Sequence, residues 1–332
     1  MPVASLRTAV INSVHAVKGN SCYFEARNII WILVMKIACN MFTFSFIVFL
    51  AMIIIGCAHR SYVEPYDRGV AFASQGNYEV AKQEFMNSLD VYQYFTPSIR
   101  SIEIIDDMNK GIISKDTAAL IFAGISNSDK KLYDQEINGY NRAIDNNPEY
   151  AYLYVLRGRA YSTTGKHDLA INDYNTSIII DPGIAETYIY RGITYAGKSH
   201  YESAIQDYQK AIELDPNLDI AYLNLGVVYE TQTLYEHAVK YYTFAIDINP
   251  MNAEAYSKRA NLHHNLGKYD LAIKDYNKAI EFNPGVAVLY SNRGHVHLVR
   301  LGHVIKGCLD LQRACKLGEC KYYDAAVQND DC

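Results

Sequence analysis

Residues 185–218 read AETYIYRGITYAGKSHYESAIQDYQKAIELDPNL, and the stretch recurs at a fixed 34-residue step as 151–184, 219–252 and 253–286. Position 4 of the unit is Tyr154, Tyr188, Tyr222 and Tyr256, with Tyr290 one step further on. Position 20 is Ala170, Ala204, Ala238 and Ala272, and position 24 is Tyr174, Tyr208, Tyr242 and Tyr276. Position 32 is Pro182, Pro216, Pro250 and Pro284. A period of this length, held at several positions, specifies an array of stacked supersecondary units rather than one closed core.

One unit reads as two helices. Apolar or small residues at positions 4, 8 and 11 share one face of a first helix, and those at 17, 20, 24 and 27 share one face of a second. Small residues at 8 and 20 (Gly192 and Ala204) predict close approach of the two helices, with larger side chains interlocking around them. Proline at 32 cannot continue a helix and so closes the second one. The fold class is therefore all-α.

The register extends outward from the four clean units. Residues 62–95 form a first unit, with Arg68, Gly69, Phe72, Gly76, Tyr78, Ala81, Phe85 and Ser88 at positions 7, 8, 11, 15, 17, 20, 24 and 27. Residues 96–116 fall out of register and contain Pro97 and Gly111; they read as an irregular insert with a short helix. Residues 117–150 are a degenerate unit marked by Tyr140, Ala143 and Pro148. The unit 287–320 slips by one residue near Leu301 and Gly302, so its second helix is expected at about 303–317. Residues 321–332 supply a closing helix and tail, since an array must cover its last apolar face.

Position 7 is Arg68, Arg157, Arg191, Arg259 and Arg293. Sixteen residues later stand Glu84, Asp173, Asp207 and Asp275, with Asp310 one further along because of the slip. In 219–252 both members change together, to Leu225 and Tyr241. The joint loss predicts that position 7 meets position 23 as a planar guanidinium–carboxylate pair that registers each hairpin. The bland alternative is two independent, solvated charges.

Tyr188, Gly192, Tyr195, Ala204, Tyr208, Ala211 and Pro216 resemble the tetratricopeptide repeat (TPR) signature, with Tyr in place of the usual Trp at position 4. The resemblance spans about 62–320 and is strongest over 151–300. It implies a right-handed superhelix whose first helices line a concave peptide-binding groove. Its groove-facing positions are 2, 5, 6, 9, 12 and 13. Here position 6 runs Leu156, Tyr190, Asn224, Lys258 and Asn292, position 9 runs Arg159, Ile193, Val227, Asn261 and His295, and His264 also faces the groove. The amino-terminal half of the groove then reads as aromatic and apolar, the carboxy-terminal half as polar with one cation. Asn and Lys there suit a peptide backbone or a carboxylate.

Residues 37–56, IACNMFTFSFIVFLAMIIIG, carry no charge and are long enough to span a bilayer. Basic residues precede them, which places the amino-terminal side in the cytoplasm and the rest outside. The run ends Ile54-Ile55-Gly56-Cys57, which resembles the bacterial lipoprotein processing box. That implies cleavage before Cys57 and lipid (palmitate) modification of Cys57, with 35–56 as the signal peptide and 57–61 as a tether. Residues 1–34 then read as an upstream extension from a misassigned start. Ala58 after the cysteine points, by the same resemblance, to the outer membrane. The alternative is an uncleaved single-pass anchor.

Formal charge is −5; removing 1–56 leaves 27 Lys and Arg against 35 Asp and Glu, or −8. Such a balance argues against nucleic acid as partner. Four cysteines follow Cys57: Cys308, Cys315, Cys320 and Cys332. An even number outside the cytoplasm suggests disulfides. Cys308 and Cys315 lie about 10.5 Å apart along one helix, too far to bridge. Two full pairings stay open, 315–320 with 308–332 or 308–320 with 315–332, as does a single bond involving Cys320 and Cys332. No CxxC spacing supports zinc, and no metal or other cofactor is expected. His263 and His297 take position 11, where earlier units have Tyr161, Tyr195 and Tyr229, and read as core substitutes.

No phosphate loop, nucleophile elbow or HExxH occurs, which argues against an enzyme. The expected function is a membrane-tethered scaffold of the bacterial cell envelope, binding peptide segments of envelope proteins on the periplasmic or exterior side. The second reading is a periplasmic chaperone that holds unfolded envelope proteins along the Tyr-rich surface.

Overall fold

The described residues of the computed structural model are 63–91, 96–129, 131–329 and 331–332. The chain divides into two units, Met1–Cys57 and Ala58–Cys332, and every described residue belongs to the second. The expected extension 1–34, signal or anchor 35–56, lipid-bearing Cys57 and tether 57–61 lie outside the described residues. Among the described residues no helix is long and apolar enough to cross a membrane.

These residues form sixteen α-helices and no strand. In order they are α1 (Val63–Ser74), α2 (Tyr78–Val91), α3 (Thr96–Asn109), α4 (Lys115–Asp129), α5 (Tyr133–Asn146), α6 (Ala151–Thr163), α7 (His167–Ile180) and α8 (Ala185–Gly197). There follow α9 (Tyr201–Leu214), α10 (Asp219–Thr231), α11 (Tyr235–Ile248), α12 (Ala253–Asn265), α13 (Tyr269–Phe282), α14 (Ala287–His295), α15 (Val304–Lys316) and α16 (Lys321–Gln328). The strongest packing pairs α1 with α2, α4 with α5, α6 with α7, α8 with α9, α10 with α11, α12 with α13 and α14 with α15. From α5 onward each second helix packs on the next first helix, as α7 does on α8 and α11 on α12, whereas α2 packs on α3 and α1 on α4. The result is an α-solenoid of helical hairpins.

Ring against glycine sets the spacing within a hairpin. Tyr174, Tyr208 and Tyr242 are fully buried at position 24. A Cβ placed on Gly192 would stand 2.7 Å from Tyr208 Cε1, so only glycine lets the ring lie flat against the partner backbone. Between units, Asp181 Oδ1 accepts from Gly183 N–H (2.8 Å) and Asp215 Oδ1 from Asn217 N–H (2.9 Å). These Asx turns explain why an acid or amide precedes each boundary proline. The position-4 tyrosines reach back across the same boundary. Tyr188 Oη donates to the Pro182 carbonyl (3.2 Å), and Tyr154 and Tyr290 do the same to Pro148 (3.0 Å) and Pro284 (3.2 Å). An indole N–H is not needed where a phenol makes this link.

The position-7 arginines each hold a carboxylate. Arg157 Nε and Nη2 donate to Asp173 (2.8 and 2.7 Å), Arg191 to Asp207 (2.9 and 2.7 Å) and Arg259 to Asp275 (both 2.8 Å). Arg293 does so to Asp310 (2.8 and 2.7 Å), and Arg68 binds Glu84 at the exposed first unit. The remaining Nη1 crosses to position 25 of the preceding unit: Asn141, Asn175, Thr243 and Asn277, at 2.6–2.9 Å. Arg191 lies between the rings of Tyr188 and Tyr195, 5.7 and 5.8 Å from their centroids, so the guanidinium is sandwiched as well as paired. At Leu225 the cross-link is absent and position 25 of the preceding unit is Gln209. There Tyr208, Leu225 and Val228 pack as an apolar cluster.

One region departs from expectation, and the expected slip in the last unit takes a definite form. Residues 96–116 are not irregular: α3 is a regular helix of 14 residues. Ser98, Ser101, Ile104 and Ile105 are buried along one face, Pro97 sits in the first turn where its missing N–H is no loss, and Gly111 (φ +77°) ends the helix. Lys82 pairs with Asp106 to fix α3 on α2. In the last unit the extra residue is taken up as a π-helical turn, Val296–Arg300, that follows α14. It lets Arg293 meet Asp310 despite the longer spacing. The cysteines are joined as Cys308–Cys332 and Cys315–Cys320, so α15 is tied to the chain's end.

Candidate functional site

The first helices α6, α8, α10, α12 and α14 stand in sequence, and apart from Leu156 of α6, which is buried in the core, their side chains at positions 6 and 9 form a row that the hairpin cores do not consume. Ile193 is 38% exposed, while Tyr190, Asn224, Val227, Lys258, Asn261, Asn292 and His295 are partly exposed. The row is not uniform, and the structure sorts its members into three groups.

The first group is polar and mutually bonded. Tyr276 Oη donates to Asn261 Oδ1 (2.6 Å), and Asn292 Nδ2 donates to the same oxygen (3.1 Å). Burial keeps the Tyr276 phenol protonated well above its ordinary range. The Asn261 oxygen is thus occupied by two donors. Asn224 stands apart, its Nδ2 bonded to the Ile220 carbonyl of its own helix (2.8 Å).

The second group is aromatic. His264 and His295 meet edge to face with centroids 5.8 Å apart, and Tyr322 of α16 closes on His295 at 6.4 Å. Burial lowers the His264 pKa, helped by His295 and Arg300, and burial with Arg300 lowers that of His295. Both rings are therefore neutral at pH 7. Among the described residues no group of three or more His, Cys, Asp or Glu stands close enough to hold a metal ion.

The third group lies in the half that reads from sequence as aromatic and apolar apart from Arg159. Arg159 at position 9 of α6 carries a charge among the rings of Tyr140, Tyr152, Tyr174 and Tyr190. The position-2 residues beside it are engaged by α3. Arg100 donates through Nε and Nη2 to both oxygens of Glu186 (2.5 Å each) and lies over the Tyr152 ring, 5.5 Å from its centroid. Tyr150 Oη donates to Asp107 (2.8 Å). A cavity of about 390 Å³ remains between α3 and the starts of α6 and α8, walled by Arg100, Glu103, Asp107, Tyr150, Tyr152 and Asp181. No sequence pattern announced the Arg100–Glu186 contact, which joins residues 86 apart. Glu136 is buried at position 20 where five other units carry alanine, a departure that is visible in the register.

Models described as tetratricopeptide repeat match residues 151–183, 220–252 and 253–286, and one described as TPR repeat matches 195–232. No curated protein matches the sequence. Among solved structures, a tetratricopeptide repeat protein from Parabacteroides merdae is 22% identical, with 79% of this chain and 95% of that one covered and a TM-score of 0.50. The pilF protein of Pseudomonas aeruginosa is 17% identical, with 64% and 98% covered and a TM-score of 0.57. The Cut9–Hcn1 assembly of the APC/C is 14% identical, with 72% and 49% covered and a TM-score of 0.55. At these identities the likeness concerns the fold.

Proposed function

Because the chain is a tetratricopeptide repeat protein, we propose that it is a non-catalytic scaffold that binds polypeptide segments of envelope proteins along its first helices. The observation that carries this is the row from Tyr190 to His295, set on rigid hairpins and left partly exposed by the core. Repeats of this family are protein-interaction modules, which supports the binding role in its general form. A preformed row on helices loses little freedom when a partner docks, so an extended segment is held mainly by the row's apolar and amide side chains.

The tether belongs to the same proposal. Cys57, after the apolar run 37–56, is the site of lipid attachment, and the repeats face an oxidising compartment outside the cytoplasm. The two disulfides support that location, since such bonds are rare where thiols are kept reduced. Labelling with a palmitate analogue tests the tether: label on the wild-type chain and none on Cys57→Ser is expected, and equal label on both sinks it. Crosslinked capture from envelope fractions, read by mass spectrometry, tests the scaffold. One stoichiometric partner is expected; a broad mixture of unfolded chains would instead make the protein a holdase.

A further inference from the structure

We propose that Arg159 is an anion-binding subsite of the groove, and that the bound segment carries an Asp or Glu side chain whose carboxylate pairs with it. This rests on the groove-binding reading above and names the chemistry of the partner.

Six described arginines are largely shielded from water: Arg100, Arg157, Arg159, Arg191, Arg259 and Arg293. Five have a carboxylate within 2.8 Å. Among the described residues Arg159 has none. Its neighbours are phenols: Tyr190, whose ring centroid lies 5.9 Å from the guanidinium carbon and whose side chain shares a hydrogen bond with it, and the hydroxyls of Tyr140 and Tyr152. Phenols are uncharged at neutral pH. The ring faces offset part of the lost hydration, but a cation held among aromatic walls without a counter-charge stays under-compensated.

The location turns this deficit into a site. Tyr152 at position 2, Arg159 at position 9 and Tyr190 at position 6 of the next first helix share the face on which the row of exposed side chains lies. Arg157, only two residues away, points into its hairpin and is saturated by Asp173 and Asn141. The two arginines of one helix are thus divided between holding the array and facing the ligand. A planar guanidinium takes a carboxylate through two parallel hydrogen bonds, and the shielded setting strengthens them. Ile193 and Val227 follow along the same row, so an apolar residue beside the acid has a place to rest.

The test selects random dodecapeptides displayed on phage against the full chain, its Arg159→Lys variant and its Arg159→Gln variant. Wild type and Arg159→Lys are expected to enrich Asp or Glu at one register beside an apolar residue, and Arg159→Gln to keep the apolar preference and lose the acid. One selected peptide and its Asn or Gln isostere are then compared by fluorescence anisotropy. On wild type the acid is expected to bind about ten- to a hundredfold more tightly, the range of a charge-assisted hydrogen bond, and to lose that advantage in high salt. Equal binding of acid and amide, or selection of neutral peptides by wild type, overturns the subsite and leaves the groove standing. Failure of wild type to select any peptide overturns the groove reading and this inference with it. Should Arg159→Gln fail to fold by circular dichroism, the acid–amide comparison on wild type and on Arg159→Lys decides alone.

Discussion

Replacing Arg191 with leucine removes two hydrogen bonds to Asp207 and one of 2.7 Å to Asn175 Oδ1. The Asp207 side chain is only 7% exposed, so water cannot take over the lost donors. Breaking one side of a fully buried pair costs about 3–5 kcal/mol, and the 19% exposure of the Arg191 side chain places this pair near about 3 kcal/mol. The double variant Arg191→Leu with Asp207→Tyr reproduces what the chain itself does at Leu225 and Tyr241. With no stranded charge it is expected to recover at least half of the loss. Urea denaturation followed by circular dichroism measures the total, and hydrogen exchange in α8 and α9 localises it, because an array opens unit by unit. The pH dependence is a second readout. Burial pushes the Asp207 carboxyl up and Arg191 opposes it, so the single variant keeps only the upward push. A carboxyl raised on folding weakens the fold progressively as pH climbs from its unfolded value of about 3.9 toward its folded one. The single variant should therefore approach wild type in acid and fall away at neutral pH, while the double variant shows no such slope. Equal losses in the single and double variants would refute the pairing argument.

Three further outcomes are expected. Gly192→Ala forces a Cβ to within 2.7 Å of the Tyr208 ring and should cost about 1–3 kcal/mol; an unchanged denaturation midpoint would show that the hairpin is loose enough to spread. Burial lowers the pKa values of His263 and His297, so their contribution is full above the unfolded value of about 6.5 and is lost as pH falls toward the folded values. Replacing both with tyrosine, as in earlier units, should flatten the stability profile below about pH 6.5, and an unaltered profile counts against their burial as neutral rings. Cys308→Ser with Cys332→Ser opens a link of sequence separation 24 and should remove about 2–4 kcal/mol locally. Exchange protection should drop in α15 and α16 and persist in α6 to α11; a uniform drop would mean that the end of the chain braces the whole array.

The period and the joint change at Leu225 and Tyr241 made the hairpins and their ion pairs legible, because each pair lies inside one repeat, sixteen residues apart or seventeen in the last unit. The second half of each arginine's bonding was not legible. Its acceptor sits in the preceding unit and varies between Asn and Thr, so it has no fixed chemical type to recognise. Helix α3 was hidden for a related reason: its buried face is built of Ser98, Ser101, Ile104 and Ile105, which matches no repeat position. The one-residue slip was visible, but whether a loop or a helix absorbs it depends on the packing of α14 against α15. In the groove, Arg159 is visible in the register at position 9, but which side chains surround its guanidinium depends on how neighbouring helices pack.

The junction between 185–218 and 219–252 has a mechanical consequence. Leu225 and Gln209 stand where neighbouring junctions have a guanidinium and its acceptor, and the adjoining unit stacks Tyr229 on Tyr241 with centroids 5.2 Å apart and planes 4° from parallel. Oily surfaces and stacked rings slide past one another with little change in energy, whereas a forked hydrogen bond tolerates almost no sliding. Within 151–320 the spring therefore has its soft coil at this junction. Stretched from both ends, it would yield there first, and a long occupant that needs a different curvature would find its slack at Leu225.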